Sequence, residues 1–144
     1  GRKKIEDTLI ENSFLWQRQH WRSLVIAYRT SPFFEFYEDD IYPLFHKEHN
    51  SLLAFNLETI KCLMGLLDLD FNISFTEAYK ESYAHKIDLR YFANGKRKNK
   101  IDLPQYRQVF EEKNGFIPYL TVLDLLFNLG PEALPYLQKL DLKL

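Results

Sequence analysis

Residues 116–137 read FIPYLTVLDLLFNLGPEALPYL, the longest apolar run in the chain, with one acid near its centre. At roughly 100° per residue, a helix over 118–129 puts Leu120, Leu123, Leu126 and Phe127 on one face. Val122, Leu125 and Leu129 cover most of the remainder. A helix that is apolar nearly all round is a buried helix. Thr121, Asp124 and Asn128 form the narrow polar seam that is left. Pro118 suits a first turn, and Gly130-Pro131 stops the helix. A short helix over 132–139 follows. Asp124 is thus expected inside the most hydrophobic element, and an unpaired buried carboxylate is costly. It needs a partner.

The chain has 144 residues, and we read 1–144 as a single domain. That length buries something like 70% of the unfolded surface, enough for a core. Twelve Phe, nine Tyr and two Trp argue against disorder. A net charge of -1 supplies no bulk field toward nucleic acid or a membrane surface. The one cysteine, Cys62, excludes an internal disulfide and suits a reducing compartment, so a cytoplasmic location is expected. No apolar run approaches the about 18 residues of a membrane span, and no signal-peptide pattern opens the chain. The chain starts on Gly1 rather than Met, so a leader removed with an earlier segment would leave no trace. There is no P-loop, no dinucleotide glycine fingerprint and no G-x-S-x-G, and no cofactor is expected.

Taken in order, residues 5–10 are expected to form a short strand, since Thr8-Leu9-Ile10 is β-favouring. Thr8-x-x-Glu11 as a capping box is the alternative. Residues 14–29 have helical periodicity, with Trp16, His20, Leu24 and Ala27 projecting together and Trp21 and Tyr28 on the flank. Arg18, Arg22 and Arg29 share the opposite stripe, which is either solvated or turned to an anionic ligand. His20 is expected at the centre of the buried face. It is then either a core histidine bonded to a carbonyl or hydroxyl, or a site histidine that titrates near neutrality. Ser31-Pro32 breaks the helix. Phe33, Phe36, Tyr37, Ile41, Leu44 and Phe45 then recur at helical spacing in one or two short helices. Asp39 or Asp40 can cap the second of these, with Pro43 in its first turn. His46 and His49 are three apart, but without a third ligand or an HExxH they do not specify a metal site.

Residues 51–67 form an amphipathic helix whose apolar face is Leu53, Leu57, Ile60, Met64 and Leu67. Cys62 lacks the positive surroundings that activate a thiolate and reads as structural. Residues 70–75, DFNISF, alternate strictly and predict a strand. Asp88-Leu89-Arg90 precedes a basic cluster of Lys96, Arg97, Lys98 and Lys100, read as a solvated loop or as a flap that contacts phosphate. No aromatic interleaves it, so nucleic acid is not expected. Residues 104–110 open as a short helix or strand, and 111–115 turn into the apolar run.

Several of these pieces, in this order, resemble the WbqC-like protein family. The matching stretches are Trp16-Gln17-Arg18-Gln19-His20-Trp21, and Tyr28 with Ser31-Pro32-Phe33-Phe34-Glu35-Phe36-Tyr37. Asp88-Leu89-Arg90 and Tyr106-x-Gln108-Val109-Phe110 follow. Then come Gly115-Phe116-Ile117-Pro118-Tyr119-Leu120 and Leu123-Asp124-Leu125-Leu126-Phe127-Asn128-x-Gly130-Pro131-Glu132. The last block is the most specific. The resemblance departs at the start, where the family's tyrosine- and phenylalanine-rich opening around a glutamine-proline motif is absent. It therefore covers the family's C-terminal two-thirds, and part of an active site is expected to lie outside this chain. The resemblance implies a bacterial protein, in some members from clusters for O-antigen or other surface polysaccharides. It also implies transfer of an aminoacyl group such as glycine to a sugar. It supplies no established catalytic residues.

The fold expected is α+β and mainly α-helical, with helices packed round the buried helix at 118–129. One or two short strands (8–10, 70–75) would belong to a sheet completed elsewhere, and their free edge would favour a homo-oligomer. As an enzyme, the protein would bind a small-molecule substrate, a nucleotide-sugar or an amino acid. His20 would be the general base, with Asp124 orienting it. Arg90 would bind carboxylate or phosphate bidentately, fixed by Asp88. Trp16, Tyr106 and Gln108 would complete the substrate contacts. As a non-catalytic binding or scaffolding module, the same residues would be structural, with Asp124 paired to Arg90 or capping a neighbouring helix and His20 satisfying the core.

Overall fold

The computed structural model describes residues 4–83, 85–90 and 103–141. The basic cluster at 96–100 lies outside them. Helix α1 spans Trp16–Tyr28. Ser31 ends it twice over, since its backbone N–H and its hydroxyl both donate to the Tyr28 carbonyl, at 2.8 and 2.6 Å. Those bonds occupy an acceptor that the last helical turn leaves open.

Helix α2 spans Phe34–His46 and runs straight through Pro43. The two-piece reading with an Asp39 or Asp40 cap is therefore replaced by one helix. Phe34, Tyr37, Ile41 and Leu44 recur at spacings of three and four and are all buried. Their burial, about 1.5–3 kcal/mol for each large apolar side chain, outweighs the one ladder bond that an exposed proline removes. Helix α3 spans Leu52–Leu66, with the Ser51 hydroxyl accepting from the Ala54 N–H at 3.3 Å. Its Phe55, Cys62, Leu63 and Leu66 meet the core, whereas Ile60 stays 40% exposed. Leu67 at the helix end is buried as predicted, and the rest of the inward face is rotated from the one predicted. Apolar side chains lie on more than one side of this helix, and packing against α2 decides which of them turn inward. The Cys62 thiol, as expected, is structural in setting: burial first, then the nearby Asp40 and Glu58 charges, push its pKa up.

The C-terminal part holds α4 (Glu111–Asn114), α5 (Val122–Leu129), a 3₁₀ turn (Gly130–Glu132) and α6 (Ala133–Gln138). Helix α5 starts four residues later than predicted. Tyr119 has φ 63° and turns the chain left-handed, so Pro118 lies outside the helix. Thr121, expected in the polar seam, is the N-cap and accepts from the Leu123 N–H at 3.1 Å. Leu126 and Phe127 are fully buried.

Helices α1, α3 and α5 all pack against α2. The centre is therefore α2 rather than the C-terminal helix. Phe34 meets Phe127 at 5.1 Å between ring centroids, and Tyr28 meets Phe127 at 5.0 Å. The joint is also made by backbone, because the Phe33 N–H donates to the Phe127 carbonyl at 3.0 Å.

No strand forms among the described residues, so the α+β expectation becomes a mainly helical fold. Residues 8–10 contribute one antiparallel bridge, Leu9 to Ser51, flanked by bonds from Ile10 N to Asn50 O (2.9 Å) and Leu52 N to Thr8 O (3.0 Å). The capping box does not form either. Thr8 donates its hydroxyl back to Lys4 O, and Glu11 accepts from the Ser13 N–H. Residues 70–75 are exposed and irregular. Their alternation is real, but a strand needs a neighbour to bond its amides, and none lies alongside among the described residues. No helix among the described residues is long and apolar enough to cross a membrane.

Gly130 lies where the α5 corner meets the 31–34 turn. Its φ is 55°, and a Cβ there would stand 2.6 Å from the Phe33 ring. Backbone strain and overpacking act together, each of order 1–3 kcal/mol. Gly130→Ala is therefore expected to lower the thermal midpoint well beyond Gly65→Ala, where a Cβ meets nothing within 4 Å. Equal melting curves for the two variants would contradict this packing.

Candidate functional site

Asp124 sits in the first turn of α5 and is 2% exposed. Its partners are neutral. The Tyr106 hydroxyl donates to its Oδ2 at 2.5 Å, and the Gln108 Nε2 approaches the same oxygen at 3.2 Å. Tyr28, at the end of α1, faces it as well. The expected cation, Arg90, and the expected base, His20, are not among these partners. Gln108, itself buried, is fixed at both ends of its amide. Nε2 donates to the Ile117 carbonyl at 2.9 Å, and Oε1 accepts from the Ile117 N–H at 2.8 Å. The side chain thereby stands in for a strand neighbour and holds residues 106–108 against the 115–120 turn. Tyr106 is wedged between the Phe116 and Tyr136 rings at 5.4 and 5.3 Å. Tyr136 in turn donates to the Pro104 carbonyl at 2.6 Å.

Both phenols are held in their neutral form. Burial, and then the Asp124 charge with its hydrogen bond, pushes Tyr28 up to about 12. Burial and the hydrogen bond to Asp124 push Tyr106 up as well. At neutral pH they are hydrogen-bond donors and not bases. The group that can accept from a ligand is the Asp124 carboxylate.

Two cavities meet at this cluster. A polar cleft of about 580 Å³ is lined by Thr30, Arg107, Glu111, Glu112 and Asn128, among others. A smaller pocket of about 80 Å³ is lined by Ala27, Val109, Phe110, Ile117 and Leu120, with Asp124 also in its wall. Gln108 and Val109 line both.

Of the predicted site residues, the fold brings together Asp124, Tyr106 and Gln108. The others lie elsewhere. His20 is exposed, on the edge of the Trp16 ring at 5.5 Å, and not at the centre of a buried face. It precedes Tyr28 by eight residues on α1, roughly 12 Å of helix rise. Trp16 is buried, and its indole N–H donates to the Asn12 Oδ1 at 3.0 Å. The Arg90 guanidinium pairs with Asp88, donates to the Lys80 and Glu81 carbonyls, and lies over the Tyr79 ring at 5.0 Å. Asp88 is held down to about 2 by Arg90. Their donors and acceptors close a local loop.

The buried histidine is His49. Its Nε2 meets the Leu44 carbonyl at 2.8 Å, and its ring packs on Phe55 at 4.5 Å. His46 stacks on Tyr42. Among the described residues no group of three or more His, Cys, Asp or Glu could hold a metal. Sequence reasoning passed over Tyr28 and Arg107 as site residues. The available signal was their position, inside or beside the Tyr28…Ser31-Pro32 and Tyr106-x-Gln108 blocks.

Two outcomes follow from this geometry. Tyr106→Phe and Asp124→Asn each leave one buried polar group short of a bond, worth about 1–3 kcal/mol. Each is expected to lower stability by that order in denaturant titration. Asp124→Ala removes the shared acceptor, and its penalty should exceed either. No buried cation is stranded by these changes, because the donors are neutral. The tyrosines set a pH window too. Their folded pKa values lie above the unfolded value of about 10, so the stability they lend is full below pH 10. It is lost as pH rises toward 12 and beyond. Unfolding midpoints measured from pH 8 to 12 should be flat at first and fall above 10. A midpoint that rises across that window would contradict the assignment.

A search of curated proteins finds the uncharacterized protein Rv1507c of Mycobacterium tuberculosis (strain ATCC 25618 / H37Rv). It is 26% identical over 162 residues, a match covering 94% of this chain and 70% of the relative. No solved structure matches. The model of the WbqC-like protein family matches residues 1–96 and 84–136. The Tyr106, Gln108 and Asp124 cluster falls within that match, and this chain belongs to the WbqC-like protein family.

Proposed function

We propose that this chain is part of a transferase that moves a small acyl, aminoacyl or amino group onto a nucleotide-linked sugar in bacterial surface-polysaccharide biosynthesis. The observation that carries the reading is the position of two buried polar side chains, Gln108 in the walls of both the polar cleft and the small apolar pocket, and Asp124 in the wall of the pocket. Convergent polar groups in a cavity are the default mark of a ligand site. Asp124 accepts a hydrogen bond or proton from the acceptor amine or hydroxyl. Tyr106, Gln108 and Tyr28 position it. Arg107 lines the cleft and makes no ion pair among the described residues, which leaves its guanidinium to meet a phosphate or carboxylate. His20 with Trp16, and Asp88 with Arg90, are secondary candidates for an acceptor bound against other faces of the molecule.

A second reading has its own support. Every donor aimed at Asp124 also braces the fold, and the Gln108 amide is fully used on Ile117 and Asp124. That is what a non-catalytic binding module would need.

Thermal-shift measurements on the full-length protein separate the two. Nucleotide-sugars, glycine and other small amino acids would be screened. A ligand at a hundredfold excess over its dissociation constant stabilises by about 2.7 kcal/mol. We expect such a shift to vanish in Arg107→Ala and Asp124→Asn and to survive in Arg18→Ala, on the exposed side of α1. A shift that vanishes only in His20→Ala moves the site to α1. No shift with any ligand on well-folded protein favours the binding module.

A further inference from the structure

The cleft and the small pocket differ in chemistry yet share Gln108 and Val109 in their walls. We propose that they are two subsites for one ligand, a hydroxylated, anionic body in the cleft carrying a two- or three-carbon acyl group in the pocket. The inference deepens the transferase reading and rests on it for the kind of group carried.

Size sets the group. A dry cavity of about 150 Å³ takes a benzene ring, so the 80 Å³ here suits roughly three carbons. Chemistry sets its polarity. Ala27, Val109, Phe110, Ile117 and Leu120 give it a mainly apolar surface, and Asp124 is the carboxylate in a wall that also holds Tyr28, Gln108 and Asn114. A short acyl group attached through an amide fits both, with its carbons on the apolar wall and its N–H toward the carboxylate. The cleft calls for a different partner. Arg107 is the one cation in its lining among the described residues, and Thr30, Glu112 and Asn128 offer polar side chains. The Glu111 carboxylate is engaged by the Gln108 N–H at 3.3 Å. A phosphate opposite Arg107, with sugar hydroxyls donating to the acids, satisfies that lining. A bare anion would meet Glu112 uncompensated.

Isothermal titration of the full-length protein with glucosamine 1-phosphate, N-acylated with acetyl, propionyl or benzoyl groups, tests this. The acetyl and propionyl compounds are expected to bind with similar affinity, and the benzoyl compound about tenfold more weakly or worse. Ala27→Leu, which fills the pocket from α1, should weaken the two short compounds by a similar factor. Leu120→Phe on the rim is a second filling variant should the first not fold. Arg107→Ala should weaken every member alike. Binding that ignores acyl size and both filling variants, yet falls in Arg107→Ala, overturns the joined subsites and leaves the cleft as the transferase site. No binding by any of the three compounds removes both.

Discussion

A carboxylate 2% exposed, in the first turn of the most apolar helix, constrains everything near it. It cannot be left without donors, since stranding a buried charge costs far more than a single mismatch. Tyr106 and Gln108 meet that demand with hydrogen bonds and Tyr28 faces the same carboxylate, and they come from two other parts of the chain. Tyr28 is the last residue of α1, so Asp124 fixes where α1 ends. Gln108 is bonded to Ile117 on both edges of its amide, so Asp124 also fixes the turn that leads into its own helix. The candidate site and the C-terminal half of the core are thus one network.

The second joint is apolar and of a different kind. Phe33, Phe34 and Phe127 interlock where the 31–34 turn meets the end of α5, and only glycine at 130 leaves room for the Phe33 ring. The two joints lie at opposite ends of an eight-residue helix. Such a helix has little stability of its own. It is held by Thr121 and Asp124 at one end and by the Phe33–Phe127 bond and Gly130 at the other. That arrangement explains why its sequence block is so dense in unusual residue types.

The same network bears on chemistry. Two tyrosines with raised pKa values are poor bases and good fixed donors, which leaves Asp124 as the acceptor in the wall of the small pocket. An aspartate that both braces a fold and faces a cavity does two jobs with one group. Separating those jobs requires substitutions that keep its shape, such as Asp124→Asn, rather than truncations.

Much of the helical frame was legible in the residues alone. The 37–41–44 stripe, the Ser31-Pro32 stop, the Ser51 start and the Gly130-Pro131 corner are local signals, and local signals report on backbone geometry and periodicity, although spacing alone puts Phe33 and Phe36 on that stripe where the fold buries Phe34 and leaves Phe36 exposed. The burial of Asp124 was legible too, because a lone acid in an apolar run has nowhere else to go. Its partners were not. Periodicity placed His20 inward, but α1 buries Trp16 and turns His20 to solvent, and it placed Ile60 on the inner face of α3, where the fold instead turns Phe55, Cys62, Leu63 and Leu66 to the core. The strand expected at 70–75 had the alternation of a strand without a neighbour to pair with. Which donors reach Asp124, which face of a helix is covered and whether an alternating segment becomes a strand depend on contacts between distant residues. Those are set by the packing of the whole chain and not by any one stretch of it.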